Sequence, residues 1–138
     1  MTSPTVSAVL FDLDGTLIDT APEFIHIGLQ LRAEAGLPPI DAKTIWHSVS
    51  NGAIGMVEAA LEMPADDPAF EQWRQRFLTL YETGLGDLSH PYPGLPELVA
   101  GLDKARIAWG VVTNKLARFA LPLLSLIHIS EPTRRSYI

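Results

Sequence analysis

Val9-Leu10-Phe11 is an apolar run that ends abruptly in Asp12-Leu13-Asp14-Gly15-Thr16. With Val6 it supplies β-branched and aromatic bulk, which predicts a strand over Ser7 to Phe11, stopped by Asp12. A nearly continuous apolar strand suits a parallel sheet covered on both faces. Residues i and i+2 of a strand point the same way, and where the chain turns the second carboxylate can swing beside or above the first. Two anions held that close repel unless a cation sits between them or one keeps its proton.

That arrangement suits phosphoryl transfer. With Mg²⁺ present, one carboxylate can attack phosphorus while the other gives a proton to the leaving oxygen and later takes one from water. Gly15 permits a tight turn and is expected to expose N–H groups toward a phosphate. A calcium-loop reading fits poorly, because Gly15 stands at the fourth position from Asp12 rather than the sixth, behind an apolar strand.

Downstream, Thr20 and Glu23 have capping-box spacing, and Pro22 falls in a first helical turn. Phe24, Ile27, Leu31 and Ala35 repeat at helical spacing until Gly36 and Pro38. Further helices are expected from Thr44 toward Val49, over Ala53 to Leu61 with Ile54, Val57 and Leu61 on one face, and after Asp67-Pro68 with Phe70, Trp73, Phe77, Leu80 and Tyr81 as a stripe. Four helical segments with no convincing strand among them predict a small α-helical domain. The Pro/Gly-rich stretch around His90-Pro91-Tyr92-Pro93-Gly94 reads as a linker. Leu95, Leu98, Val99 and Leu102 fit a helix, and Ile107 to Val112 a second core strand ending at Thr113-Asn114-Lys115. Strand, helix and strand with a helical insert is an α/β pattern. Thr113, at the end of an apolar strand, is either a phosphate donor or the cap of a helix that follows directly.

Composition sets bounds. The chain has 138 residues, 47% of them hydrophobic, and a formal charge of -6 from 16 acidic and 10 basic residues. Without a basic patch, nucleic-acid binding is disfavoured. No apolar run is long enough to predict a membrane span, the first residues do not read as a signal peptide, and cysteine is absent. A cytoplasmic location is the default expectation. Trp46, Trp73 and Trp109 are expected as core anchors, and Arg74 and Arg76 as solvent-facing.

Phe11-Asp12-Leu13-Asp14-Gly15-Thr16-Leu17-Ile18-Asp19-Thr20 resembles the first motif of the haloacid-dehalogenase-like hydrolases, in its phosphatase form, and Val111-Val112-Thr113-Asn114-Lys115 resembles their second. Pro91-Tyr92-Pro93-Gly94 and Trp109 to Lys115 are similar to the phosphoglycolate phosphatase branch. The resemblance implies a partial Rossmann-like α/β core over residues 5–18 and 91–123 and an α-helical cap over 19–90, inserted after the first strand. It implies Asp12 as nucleophile, Asp14 as general acid/base, and both as Mg²⁺ ligands, Asp14 through its backbone carbonyl. Thr113 and Asn114, with Gly15, would contact the phosphoryl group. The implied substrate is a small phosphorylated metabolite, 2-phosphoglycolate first, handled by a monomer or homodimer. Asn51-Gly52 reads either as a substrate-binding loop of the cap or as a plain helix–helix turn.

The resemblance also implies a later Lys and later acidic metal ligands, and nothing after Leu123 matches them. Leu124 to Arg134 resembles the translation of a transposase adapter used in sequencing libraries, so residues 124–138 are expected to be a non-native tail. A chain ending there is expected to turn over little substrate and to leave apolar residues such as Val111 and Leu121 uncovered. The rival readings are another phosphatase of the same superfamily or a β-phosphoglucomutase-like enzyme, and, in another class, a non-catalytic helical interaction module.

Overall fold

The computed structural model describes residues 5–127. The chain divides into two compact units, one holding the segments up to Asp19 and from Ser89 onward, the other Thr20–Leu88.

In the first unit, strand β1 (Ala8–Phe11) leads through the acidic turn to a two-residue strand β2 (Ile18–Asp19). After the second unit come β3 (His90–Pro91), helix α5 (Leu95–Lys104), β4 (Ala108–Val111) and helix α6 (Ala117–Ser125). β1 and β4 pair in parallel, Ala8 opposite Ala108 and Phe11 opposite Val111. β2 and β3 pair antiparallel in a ribbon too short to carry a periodic signal. Phe11 and Trp109 meet edge to face with ring centroids 6.3 Å apart. Val99 and Leu102 of α5 are buried, and α5 packs on β4. The opposite face of β1 is open, with Leu10 67% exposed, so the expectation of cover on both faces fails among the described residues. Val111 is buried, against the expectation that it lies uncovered, while Leu121 is half exposed.

α6 starts at Ala117, not directly after Thr113, because residues 113–116 form a bend. It also passes the expected boundary at Leu123: Leu124 and Ile127 are buried at helical spacing with Phe119, Ala120 and Leu123. The rest of the expected tail, from His128, lies outside the described residues.

The second unit holds α1 (Ala21–Glu34), α2 (Ala42–Trp46), a 3₁₀ turn (Val49–Asn51), α3 (Gly52–Leu61) and α4 (Phe70–Gly84). α1 packs against each of the other three helices. Phe24 packs at a tilt against Phe77 and Tyr81, at 5.6 and 4.9 Å between centroids. Gly28 permits the close approach, since a Cβ there would lie 3.0 Å from Met56 and 3.1 Å from Ile45.

Several expectations shift. Thr20 makes no side-chain cap; Glu23 is buried instead and accepts the Gly86 N–H at 2.6 Å, tying the start of α1 to the end of α4. Ile54 is exposed, and Met56 and Ala60 take the buried face with Val57 and Leu61. Of the tryptophans Trp109 is buried, but Trp46 is 54% exposed. α2 begins earlier than expected because the Asp41 carboxylate accepts the Lys43 N–H at 2.8 Å.

A buried arginine was not anticipated. Arg32 donates to the Pro38 and Ala60 carbonyls, and its Nη1 lies 3.1 Å from Glu62 Oε2. It thereby joins the end of α1 to the end of α3, where Glu62 adopts a left-handed conformation at φ 53. Arg76 pairs with Glu34 through two bonds of 2.8 Å, linking α4 to α1 at the surface.

Arg32→Ala leaves the buried Ala60 carbonyl without this donor and is expected to cost about 1–3 kcal/mol in urea unfolding. Arg76→Ala, at a surface pair screened by solvent, is expected to cost much less than Arg32→Ala. The Arg76 guanidinium, then Gln30, hold the Glu34 carboxyl down at about 2 from an ordinary 4.5. A depressed carboxylate stabilises the fold above its unfolded value, so this small contribution is lost as pH falls from about 4.5 toward 2. Side-chain carboxyl NMR titration should find the Glu34 midpoint at the low end of that window and move it upward in Arg76→Ala.

Candidate active site

The parallel pairing of β1 and β4 continues one bond past the strands, with the Val112 N–H donating to Phe11 O at 2.8 Å. Asp12 therefore leaves β1 beside the point where Thr113 leaves β4. The carboxyl ends of adjacent parallel strands are where open α/β sheets gather ligands.

Asp12 is exposed, and its Oδ1 accepts the Leu13 N–H at 2.8 Å. Leu13 and Leu17 are fully buried and anchor the turn from both sides. Leu13 O receives the N–H groups of Leu17 and Ile18 at 3.0 and 3.1 Å. Between them the chain turns back at Gly15, at φ 74. The Gly15 N–H donates to Ile18 O at 2.9 Å. Its own N–H is thus engaged within the turn, to which Gly15 contributes the left-handed conformation. The Tyr92 N–H donates to Leu17 O at 3.1 Å, carrying the β2–β3 ribbon forward. Burial, and then the Asp19 charge, push the Tyr92 phenol upward.

The Thr113 Oγ1 accepts the Lys115 N–H at 3.1 Å. The hydroxyl thus braces its own bend and still has its O–H proton to donate. It does not cap α6, whose N-cap residue is Leu116. Asn114 is exposed in the same bend. The Lys115 side chain is only 8% exposed, and its Nζ lies 3.1 Å from Asp14 Oδ1. Sequence reasoning placed Lys115 in the second motif but gave it no role. Within the first unit Lys115 therefore links Asp14 to the Thr113 bend, with Asp12 and Asn114 as near sequence neighbours of that link.

Asn51 and Gly52 belong to the second unit, where Asn51 ends the 3₁₀ turn and Gly52 opens α3 at φ 65. Gly55 is needed beneath them, since a Cβ there would come within 2.3 Å of the Asn51 Cβ.

Carboxylate and carbonyl oxygens are the hard donors that Mg²⁺ prefers. Among the described residues no group of three or more His, Cys, Asp or Glu converges. Asp12 and Asp14 offer oxygen donors of that kind, and Mg²⁺ commonly takes only one or two protein carboxylates with waters and substrate phosphate.

An acidic Asp-x-Asp turn after one strand, with Thr-Asn after its parallel neighbour, is the α/β arrangement that the haloacid-dehalogenase-like resemblance implies. The sequence model of the haloacid dehalogenase-like hydrolases matches residues 9–134, and the chain belongs to that family. It is 49% identical over 129 residues to the N-acetylmuramic acid 6-phosphate phosphatase of Pseudomonas aeruginosa, covering 94% of this chain and 57% of that protein. It is 38% identical over 139 residues to the phosphoglycolate phosphatase of Agrobacterium fabrum, covering 95% and 58%. The fold is shared with the crystal structure of a predicted phosphoglycolate phosphatase from Haemophilus somnus 129pt, at TM-score 0.74, 23% identity and coverage of 95% and 62%. The chain spans somewhat over half the length of these curated relatives.

Gly15→Ala tests the turn. A Cβ there meets nothing within 4 Å, so only the left-handed backbone opposes it. The expected cost is about 1–2 kcal/mol in chemical denaturation, and an unchanged midpoint would contradict the turn assignment.

Proposed function

We propose that the whole protein containing these residues is a Mg²⁺-dependent phosphomonoesterase acting on a small alkyl phosphate that carries a carboxylate. The observation that carries this reading is the β1–β4 pairing, which delivers the carboxylate turn and the Thr113 bend to one end of the sheet. A transferring phosphoryl group asks for aligned oxygens and charge neutralisation more than for elaborate covalent machinery.

In this reading an Asp12 Oδ attacks phosphorus. The new O–P bond forms as the ester P–O bond breaks, and its electron pair leaves with the alcohol oxygen. The Asp14 carboxyl gives that oxygen its proton. Water then attacks the aspartyl-phosphate, Asp14 takes back a proton, and Asp12 is restored with release of inorganic phosphate. The Thr113 O–H and the Asn114 bend donate to phosphoryl oxygens. The Asp12 carboxylate and Asp14 carbonyl would hold Mg²⁺, which when bound neutralises phosphate charge. Asn51 and Gly52 are proposed as substrate contacts from the helical unit.

N-acetylmuramic acid 6-phosphate is the leading substrate, from the more similar relative, and 2-phosphoglycolate the second. Both are alkyl phosphates that carry a carboxylate, so the acidic chain must offset anionic charge locally. No described helix is long and apolar enough to cross a membrane. We place the enzyme in the cytoplasm, as a monomer or homodimer.

The test is phosphate release by the whole protein from both esters. Chelation should abolish it and added Mg²⁺ restore it. Asp12→Asn should lower turnover by on the order of 10³-fold or more, since an amide is a poor nucleophile. Undiminished turnover in that variant removes Asp12 from the role.

A further inference from the structure

Lys115 carries a cost that a surface lysine does not. Its side chain is 8% exposed, so it is largely withdrawn from water and held to one path. That path ends with Nζ 3.1 Å from Asp14 Oδ1. The backbone of the same residue is fixed by its N–H donation to Thr113 Oγ1 at 3.1 Å. The lysine is thus anchored in the β4 bend and reaches to the turn after β1, where the Asp14 side chain is 34% exposed.

We propose that Lys115 is a positioning residue for Asp14: its Nζ–H donates to Oδ1 and fixes the orientation of the carboxyl group at the carboxyl end of the sheet, leaving Oδ2 as the oxygen that carries the transferred proton. This rests on the reading of Asp14 as the group that protonates the leaving oxygen. Asp14 follows Leu13 and precedes a glycine, so its backbone alone leaves the side chain several rotamers. A tether from the neighbouring strand selects one. Orientation matters most where a proton must reach a poor leaving group during bond cleavage, and a displacement near 1 Å can cost about 10²-fold. A leaving group that departs as a stable anion needs no such proton.

The experiment compares Lys115→Met and Lys115→Arg with the unsubstituted whole protein in Mg²⁺. It measures kcat/KM, which covers only the steps through leaving-group release. The alkyl ester is N-acetylmuramic acid 6-phosphate, or 2-phosphoglycolate where that is turned over faster; the aryl ester is p-nitrophenyl phosphate. For Lys115→Met the alkyl ester should lose roughly 10–100-fold while the aryl ester stays within about threefold. Lys115→Arg keeps a cation with a different fork, and should show the same selectivity with a smaller loss, about 3–10-fold. Should Lys115→Met fail to fold, the arginine variant alone decides by that selectivity. Equal losses on the two esters, or no loss on either, overturn the proposal and leave Lys115 as a brace or a phosphate contact. If Asp12→Asn keeps full turnover, the functional reading fails first and this inference with it. If Asp12→Asn is silent but the losses are equal, this inference alone fails.

Discussion

The bond from Val112 N–H to Phe11 O is the last rung of the β1–β4 ladder, and the chemistry proposed here depends on its register. Strands alternate faces with period two, so a slip of one residue would exchange the buried Phe11 and Val111 for their outward neighbours. Burial of Phe11, Trp109 and Val111 on one face resists that slip. The same register carries Asp12 out beside Val112, the residue before Thr113. The acidic turn beyond the ladder is then held by the two buried leucines, Leu13 and Leu17, and by a glycine that can adopt φ 74. Hydrophobic burial at this end of the sheet is what allows two carboxylates to be presented close together.

Lys115 adds electrostatics to that packing. An acidic turn next to an incoming phosphate ester concentrates negative charge, and the overall charge of the chain is already -6. A cation brought to Asp14 from the facing bend reduces the local repulsion without a metal ligand being spent on it. The Thr113 hydroxyl, which accepts the Lys115 N–H, keeps the bend from rotating that cation away.

Much of this was legible in the chain. The apolar run ending at Asp12 and the helical spacings of α1 and α4 carry strong local signals, and the motif strings around Asp12 and Thr113 led to the family. What escaped has a common cause: it depends on groups far apart in sequence. Arg32 looks like any solvent-facing arginine until two carbonyls and Glu62 converge on it. Glu23 has the spacing of a capping box, but the backbone N–H of Gly86, sixty-three residues on, takes its buried carboxylate. Ile54 and Met56 cannot be ranked by hydrophobicity alone, and helix packing buries the thioether and exposes the isoleucine. The two-residue strands at Ile18 and His90 are too short for a periodicity to exist. Gly15 was recognised as a turn residue, but the destination of its N–H required coordinates.

The central claim is that the Asp12 carboxylate is the atom group on which the phosphoryl moiety lands. It is tested most directly by a crystal structure of the whole protein grown with magnesium and beryllium fluoride, a mimic of the acyl phosphate. The account predicts beryllium bonded to an Asp12 Oδ, with a fluorine within hydrogen-bond reach of the Thr113 hydroxyl. Beryllium fluoride seated on another residue, with Asp12 turned away from it, would contradict the account.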